Sequence, residues 1–379
     1  MSLLVFFEGS GGSTVPTTIT PQIVTVNAQV TTAPAPSTLQ QSGALVSYGG
    51  TTLATGTYQY CGTAAAVTAI LSTAGNYVEL GHMATTFFAQ GSSVGVYVLE
   101  LGVQASIPTQ ITLLGTFVAA NPNAFYAYLV PAAWDSANAA AVQTMASAFG
   151  SATGKTYFFV TTSSSTIAAY ATKAIIATAP SPTAATTEFQ AAVIFYQWLA
   201  NSPSLAAPIG PMNFRFVYGV TPWVLSLSAN ATAVNTILSA YGNVILTGAE
   251  GGISTSLIRN GTTMDGNQAM FWYAVDWILI NADRQLSAAV INGSNSNPPV
   301  LYNQFGINYL LGILQNLGTT GIAEGLLLAA TFTAVPFVTY INANPANYAA
   351  GIYGGFACTA TPQLGFDSII FYLNATTFA

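Results

Sequence analysis

The sequence predicts a mixed α/β fold, α+β in its overall organisation, and three observations carry that expectation. Between residues 39 and 205, short runs of β-formers alternate with stretches of helical periodicity, the pattern of an α/β domain with a partly parallel sheet. After the punctuation of Pro203, Pro208 and Pro211 the pattern changes to longer helices and isolated strands. Both ends carry β-formers with little context of their own, and such segments look for a sheet edge to join.

Taken in order, Leu3–Phe7 reads as a strand, Gly9–Ser13 as a spacer, and Thr31–Pro36 as a stiff, polyproline-like link. Ala44–Gly50 reads as a strand and turn. Ala64–Ala74 and Tyr77–Gln90 read as helices, and Val94–Leu101 as a compact strand. Ala124–Pro131 and Thr156–Thr161 are predicted strands. Ala137–Gly150, Thr166–Ala177 and Glu188–Asn201 are predicted helices. Further on, Asn213–Val217, Trp223–Leu227, Asn243–Leu246 and Ile253–Ile258 have strand composition, with a short helix at Thr232–Ala240. A long helix, capped by Thr262 or Asp265, runs to about Val290 on Phe271, Val275, Ile278, Leu279, Ala282 and Leu286. Gln304–Leu317 and Gly321–Leu328 follow as helices. Val335–Tyr340 reads as an edge strand at best because of Pro336, and Phe366–Leu373 as a terminal strand.

Hydrophobic residues make up 52 % of the 379 positions and mean hydropathy is +0.52, while charged residues are only 4 %. Membrane spans are the first thing such numbers suggest. The most apolar stretches do not support them: Phe271–Ile280 contains Asp276, and Tyr309–Leu328 is broken by Gln315, Asn316 and Glu324. A span needs roughly 17 to 25 nearly continuous apolar residues. The expected surface is neutral and rich in hydroxyls and amides. With a net charge of −6 and five cations, like-charge repulsion between copies is weak, so the reading is a subunit packed against others, or one adapted to an acidic medium. The N-terminus has no basic n-region, which reads against a secretory signal.

The chemical inventory is sparse. Lys155, Lys173, Arg215, Arg259 and Arg284 are isolated from one another, so no basic stripe exists to hold nucleic acid. Cys61 and Cys358, the only cysteines, are neither a disulfide framework nor a metal cluster, and read as two buried thiols. His82 stands alone, which reads against any multi-histidine metal site. Gly91-Ser-Ser93-Val-Gly95 has the spacing of a nucleophile elbow but leads into a strand, not a helix. The pair that most invites a catalytic reading is Asp276 and Asp283, on one helix face and roughly 10 Å apart along the axis. The plainer expectation is that these carboxylates meet Arg215, Arg259 or Arg284 as core charge pairs.

Three segments resemble a known family. Ala84-Thr-Thr-Phe-Phe-Ala-Gln-Gly-Ser-Ser-Val-Gly-Val-Tyr-Val-Leu-Glu-Leu-Gly102 is similar to the apolar helix, Gly turn and strand of contractile tail sheath proteins of bacteriophages and related injection particles. Arg259-Asn-Gly-Thr-Thr-Met-Asp-Gly266 with the Asp276-Trp277 helix resembles the start of that family's C-terminal core, and Asn303–Gly325 continues it. The near absence of Lys and Arg departs from the family's usual pattern.

The resemblance implies a non-enzymatic structural protein with no cofactor. It implies a core domain made from the arm at 1–35 and residues 206–379, with an outer α/β domain inserted at 36–205. Terminal strands would join neighbours' sheets, with Leu3, Val5 and Phe7 at one end and Phe366, Ile369, Ile370, Phe371 and Leu373 at the other. Implied partners are further copies in stacked hexameric rings, an inner tail tube protein, and baseplate and tail terminator proteins, with neither nucleic acid nor direct membrane insertion. The implied location is the tail sheath of a virion, assembled in the host cytoplasm and contracting to drive the tube through the host envelope. Two other readings stay open at this point: a different self-assembling shell or surface-layer protein, and an acid-stable hydrolase using Asp276 and Asp283.

Overall fold

The computed structural model describes residues 38–225, 228–247 and 254–367. The chain divides into two units, Met1–Thr31 and Thr32–Ala379, and every described residue belongs to the second.

The first half builds a doubly wound sheet. Strands β1 (Gly43–Ser47), β2 (Tyr58–Cys61), β3 (Val96–Glu100), β4 (Ala127–Leu129), β5 (Tyr157–Thr161) and β6 (Ile175–Thr178) lie in the order β2-β3-β1-β4-β5-β6. All neighbours are parallel except β2, an antiparallel edge strand. Strands β1, β4 and β6 are buried along their length, as expected where helices cover both faces. Helices α1 (Ala64–Thr68) and α2 (Tyr77–Phe88) follow β2, α3 (Ile107–Ala120) follows β3, α4 (Ala139–Ser147) follows β4, and α5 (Gln190–Leu199) follows β6. One face packs Leu80, Met83 and Phe87 of α2 and nearly all of α5 against Leu45, Tyr126 and Phe159. The opposite face packs Ile111, Leu114 and Val118 of α3 and Val142 of α4 against Val46, Tyr128 and Phe158.

The second half adds α6 (Ser228–Ser239), a hairpin of β7 (Val244–Thr247) with β8 (Ser256–Arg259), and then the long helices α7 (Ala269–Ser294) and α8 (Gln304–Ala323). Strand β9 (Leu327–Ala334), short helices α9 (Phe337–Ala343) and α10 (Pro345–Ala349), and strand β10 (Phe356–Pro362) complete it. Tyr273, Ala274 and Trp277 of α7, with Leu314, Leu317, Leu327 and Phe332, belong to the same hydrophobic cluster as α2 and α5. No helix among the described residues is long and apolar enough to cross a membrane.

Several expectations are corrected. Thr166–Ala177 is not a helix: after one short helical turn at Ile167–Ala169 it becomes β6, because buried Ile175 and Ile176 pair with β5 and outweigh the helix propensity of the alanines. α8 does not stop at Leu317 but runs through Gly318 and Gly321, so Gly321–Leu328 is the end of a helix and the start of β9. A Cβ on Gly318 would stand 3.0 Å from the Phe332 ring, so the glycine that looks like a breaker is the close-packing point of α8 on β9. Val335–Tyr340 turns into α9, with Pro336 at its N-cap, where a fixed φ and a missing N–H cost nothing. Asn213–Val217 and the start of Trp223–Leu227 make only isolated bridges, Phe216 to Leu257 and Trp223 to Leu246. Neither Thr262 nor Asp265 caps α7, which begins at Ala269. α3 and β2 were not expected, although Ser106, whose side chain accepts from Thr109 N–H, and Pro108 mark a helix start.

Candidate assembly surface

β9 and β10 form a two-stranded antiparallel ribbon that pairs with no other strand among the described residues. Its register places Ala330 opposite Ala360, Phe332 opposite Cys358 and Ala334 opposite Phe356. Phe332 on this side is buried against α8. The alternate pairs, Ala329 with Thr361, Thr331 with Thr359 and Thr333 with Ala357, are all exposed. These six open positions are Ala and Thr, Leu328 and Cys358 are exposed as well, and no charged residue occurs in either strand. Natural edge strands are normally blunted by lysine, inward charges or coverage, and an uncharged open edge is a template for another strand.

The chain leaves this ribbon through a fixed root. Gln363 N–H donates to Leu326 O at 2.9 Å. Gln268 holds Gly365 by two bonds: its side-chain NH2 donates to Gly365 O at 3.0 Å, and its oxygen accepts from Gly365 N–H at 2.9 Å. Asp367 accepts from Arg259 at 2.6 Å and from the Asn213 amide at 3.0 Å. Asn213 in turn accepts from Asn260 N–H, next to Gly261. Gly261 has φ of +66°, and any side chain there would run into the Asn213 backbone. Phe366, between these anchors, is 77 % exposed. The other expected donor residues, Leu3, Val5, Phe7, Ile369, Ile370, Phe371 and Leu373, lie outside the described residues.

The expected core charge pairs are arranged differently from the reading above. Asp276 is fully buried and faces Lys173, 3.9 Å away, not an arginine. Its second oxygen accepts from the hydroxyls of Tyr126 at 2.8 Å and Tyr157 at 2.7 Å. Position decides this: the first turns of α7 lie on the sheet, where Lys173 leads into β6, while Arg215 is held elsewhere. The Lys173 ammonium lies 4.0 Å from the centre of the Trp272 ring and donates to Ala152 O. Burial raises the Asp276 carboxyl to about 6, against the opposing pull of Lys173 and the two tyrosines. Burial also lowers the Lys173 ammonium.

Arg215 spends its donors on neutral oxygens, Pro211 O, Gln197 O, Gly210 O and the Asn201 side chain, stapling the loop before it to α5. Burial pulls it down to about 10. Arg259 pairs with Asp367, and Arg284 donates to Asn281. Asp283 is exposed while Asp276 is sealed, because α7 dips under the sheet only in its first half. A carboxylate sealed from solvent and one on the surface do not present the paired, substrate-facing carboxyls that a glycosidase-type site uses. Among the described residues, no cluster of His, Cys, Asp and Glu has the makings of a metal site.

No family model and no curated protein matches the sequence. Solved structures do match in fold. A chain of the cryo-EM structure of the anti-feeding prophage baseplate, 6-fold symmetrised, superposes with a TM-score of 0.63 at 12 % identity, covering 95 % of this chain and 100 % of that one. A chain of the same baseplate in its contracted state gives 0.57 at 13 % identity, over 95 % and 99 % of the two chains. A crystal structure of a sheath tail protein from Listeria innocua gives 0.56 at 9 % identity, over 87 % and 96 %. The chain thus shares its mixed α/β fold with a sheath tail protein over 87 % of its length and with the baseplate chains over 95 %.

Proposed function

We propose that this protein is the sheath subunit of a contractile tail, joined to its neighbours by strand addition to the β9–β10 ribbon. The observation that carries the reading is the ribbon itself, with unpaired edges, an Ala/Thr face open to solvent and no charge to repel an incoming strand. The fold likeness to a sheath tail protein supports the same role. The incoming strands are Leu3–Phe7 of one neighbour and the segment beyond Asp367 of another. Main-chain bonds of this kind survive while rigid bodies rotate about them, which suits a lattice with two packings.

In this reading hexameric rings stack around an inner tube, with baseplate and terminator proteins at the ends. Residues 36–205 form the outer unit, and residues 206–379 with the arm at 1–35 form the core. Contraction is driven by the free-energy difference between the two packings and drives the tube through the host envelope, with no nucleotide and no catalytic residue involved. Negative-stain electron microscopy of the purified full chain tests it. Hollow striated tubes or stacked rings are the expected result, and their loss on removal of residues 1–8, with the fold retained, is expected as well. Tubes of normal length from that truncation rule out the strand-exchange scheme.

A further inference from the structure

In the six-stranded sheet the order reverses at β1. The chain passes from β1 to β3 on one side and then returns to β4 on the other. Loops leaving the C-terminal ends of β1 and β4 therefore diverge, and in open α/β sheets that divergence opens a crevice where ligands sit. Here the crevice is present, with a volume of about 460 Å³, within the usual size of a small-molecule site. Tyr48 after β1, Ala132 after β4, Thr161 at the end of β5 and Pro180 after β6 form its floor, and α2 and the start of α5 form its walls.

The two formally charged side chains that line it, Glu79 and Glu188, are both acidic. Glu79 and His82 come from α2, Glu188 lies just before α5 and Gln190 opens it, and no Lys or Arg is among the lining residues. Neither carboxylate has an ion-pair partner among the described residues. Glu188 accepts from Thr221, and Glu79 accepts from Ala132 N–H at 2.7 Å. Burial pushes the Glu79 carboxyl up, and its charge in turn contributes to raising the Tyr48 hydroxyl, second to burial. The Thr161 hydroxyl is buried at the floor with no hydrogen-bond partner among the described residues. Polar groups left buried and unmatched are uncommon and call for an explanation.

We propose that this crevice binds a small organic cation, an alkylammonium or guanidinium group, with Glu79 and Glu188 as counter-charges and Thr161 and Gln190 as hydrogen-bond partners. Two carboxylates without a cation in a partly enclosed site favour a positive guest, and among the described residues no three-ligand cluster offers itself to a metal ion. The same chemistry comes from two sources, a free diamine or the Lys155 side chain of a second copy. The site lies in the sheet unit and stands independently of the sheath reading.

Isothermal titration of the full chain with 1,4-diaminobutane, with 1,4-butanediol as the neutral control, tests the proposal. The diamine is expected to bind once per chain, the diol not at all, and Glu79→Gln to weaken the diamine at least about tenfold. Glu79→Gln keeps an oxygen for Ala132 N–H, and Glu188→Gln provides a second variant should the first unfold. Carbodiimide crosslinking of concentrated protein separates the sources: a Glu79–Lys155 or Glu188–Lys155 link between copies assigns the cation to a neighbour, and diamine binding without one assigns it to a free molecule. No saturable heat with the diamine at millimolar concentration, equal binding of the diol, or unchanged affinity in both variants overturns the proposal.

Discussion

The Tyr126 hydroxyl donates to Asp276 Oδ2 at 2.8 Å, across 150 positions of sequence, and fastens the middle of the sheet to the first half of α7. Tyr157 donates to the same oxygen from the neighbouring strand, and Lys173 is the nearest cation, 3.9 Å from the other oxygen. Two hydroxyls and a cation only partly offset the loss of water around a fully buried carboxylate, which is why its pKa rises to about 6.

That rise fixes the sign of a pH effect. Between the unfolded value of 3.8 and the folded value of about 6, the native state holds a proton that the unfolded state has released. The Asp276 contribution to stability is therefore greatest in acid and declines as pH rises through that window, by on the order of 3 kcal/mol in all. Denaturant midpoints at pH 5 and pH 7.5 measure it. Asp276→Asn still accepts from both tyrosines and does not titrate, so the difference between the two midpoints is expected to shift toward stability at pH 7.5. An unchanged difference in the variant refutes the assignment.

Glu100 makes a different buried carboxylate. It accepts from the Ser47 and Thr51 hydroxyls and from the backbone N–H groups of Gly49, Thr51 and Gly102, tying the turn after β1 to the end of β3. Glu100→Ala leaves three backbone donors without an acceptor and is expected to cost about 3–5 kcal/mol in urea unfolding. Glu100→Gln is expected to fall between. Its NH2 either opposes the Gly49 and Gly102 N–H groups or faces the hydroxyl side, where Ser47 and Thr51 can turn to accept but Thr51 N–H cannot. A glutamine variant as stable as the native chain contradicts this account.

Much of the fold was legible. β1, β3, β5, α2, α4, α5 and α7 follow from apolar periodicity, because each buries one consistent face or a whole strand against the same cluster. What was not legible depended on tertiary partners. β9 and the segment that leads into β6 carry several Ala, which favour helix locally, and the strands form because β10 and β5 are there to pair with. The ribbon was missed for the same reason, although Thr331-Phe-Thr-Ala334 and Phe356-Ala-Cys-Thr-Ala-Thr361 carry a β-former signal without charge. Lys173 was missed as the partner of Asp276 because spacing along α7 gives no information about what the sheet places opposite it.

The ribbon can be tested through its own cysteine. Cys358 is exposed on β10, whereas Cys61 is buried in the core and its thiol is pushed up to about 11. A bulky maleimide is expected to label Cys358 alone. Labelled protein should keep its far-UV circular dichroism and lose the ability to form tubes, while Cys358→Ser treated with the same reagent should polymerise normally. Tubes from fully labelled protein remove the ribbon from the assembly scheme.

The root of the C-terminal segment separates assembly from folding. The Arg259–Asp367 pair is partly solvent-exposed, with Asp367 at 58 %, and pairs of this kind contribute at most about 1 kcal/mol. Gln268 faces Gly365 with both ends of its amide, so it sets where the chain departs without burying apolar surface. Gln268→Ala combined with Asp367→Asn is therefore expected to change the thermal midpoint little while lowering the yield or regularity of tubes, because a segment with an unfixed root loses more entropy on joining a neighbour. Electron microscopy of matched concentrations reads the outcome. Regular tubes in native yield show that Gln268 and Asp367 do not position the segment. A large fall in the thermal midpoint shows instead that the root is part of the folding core.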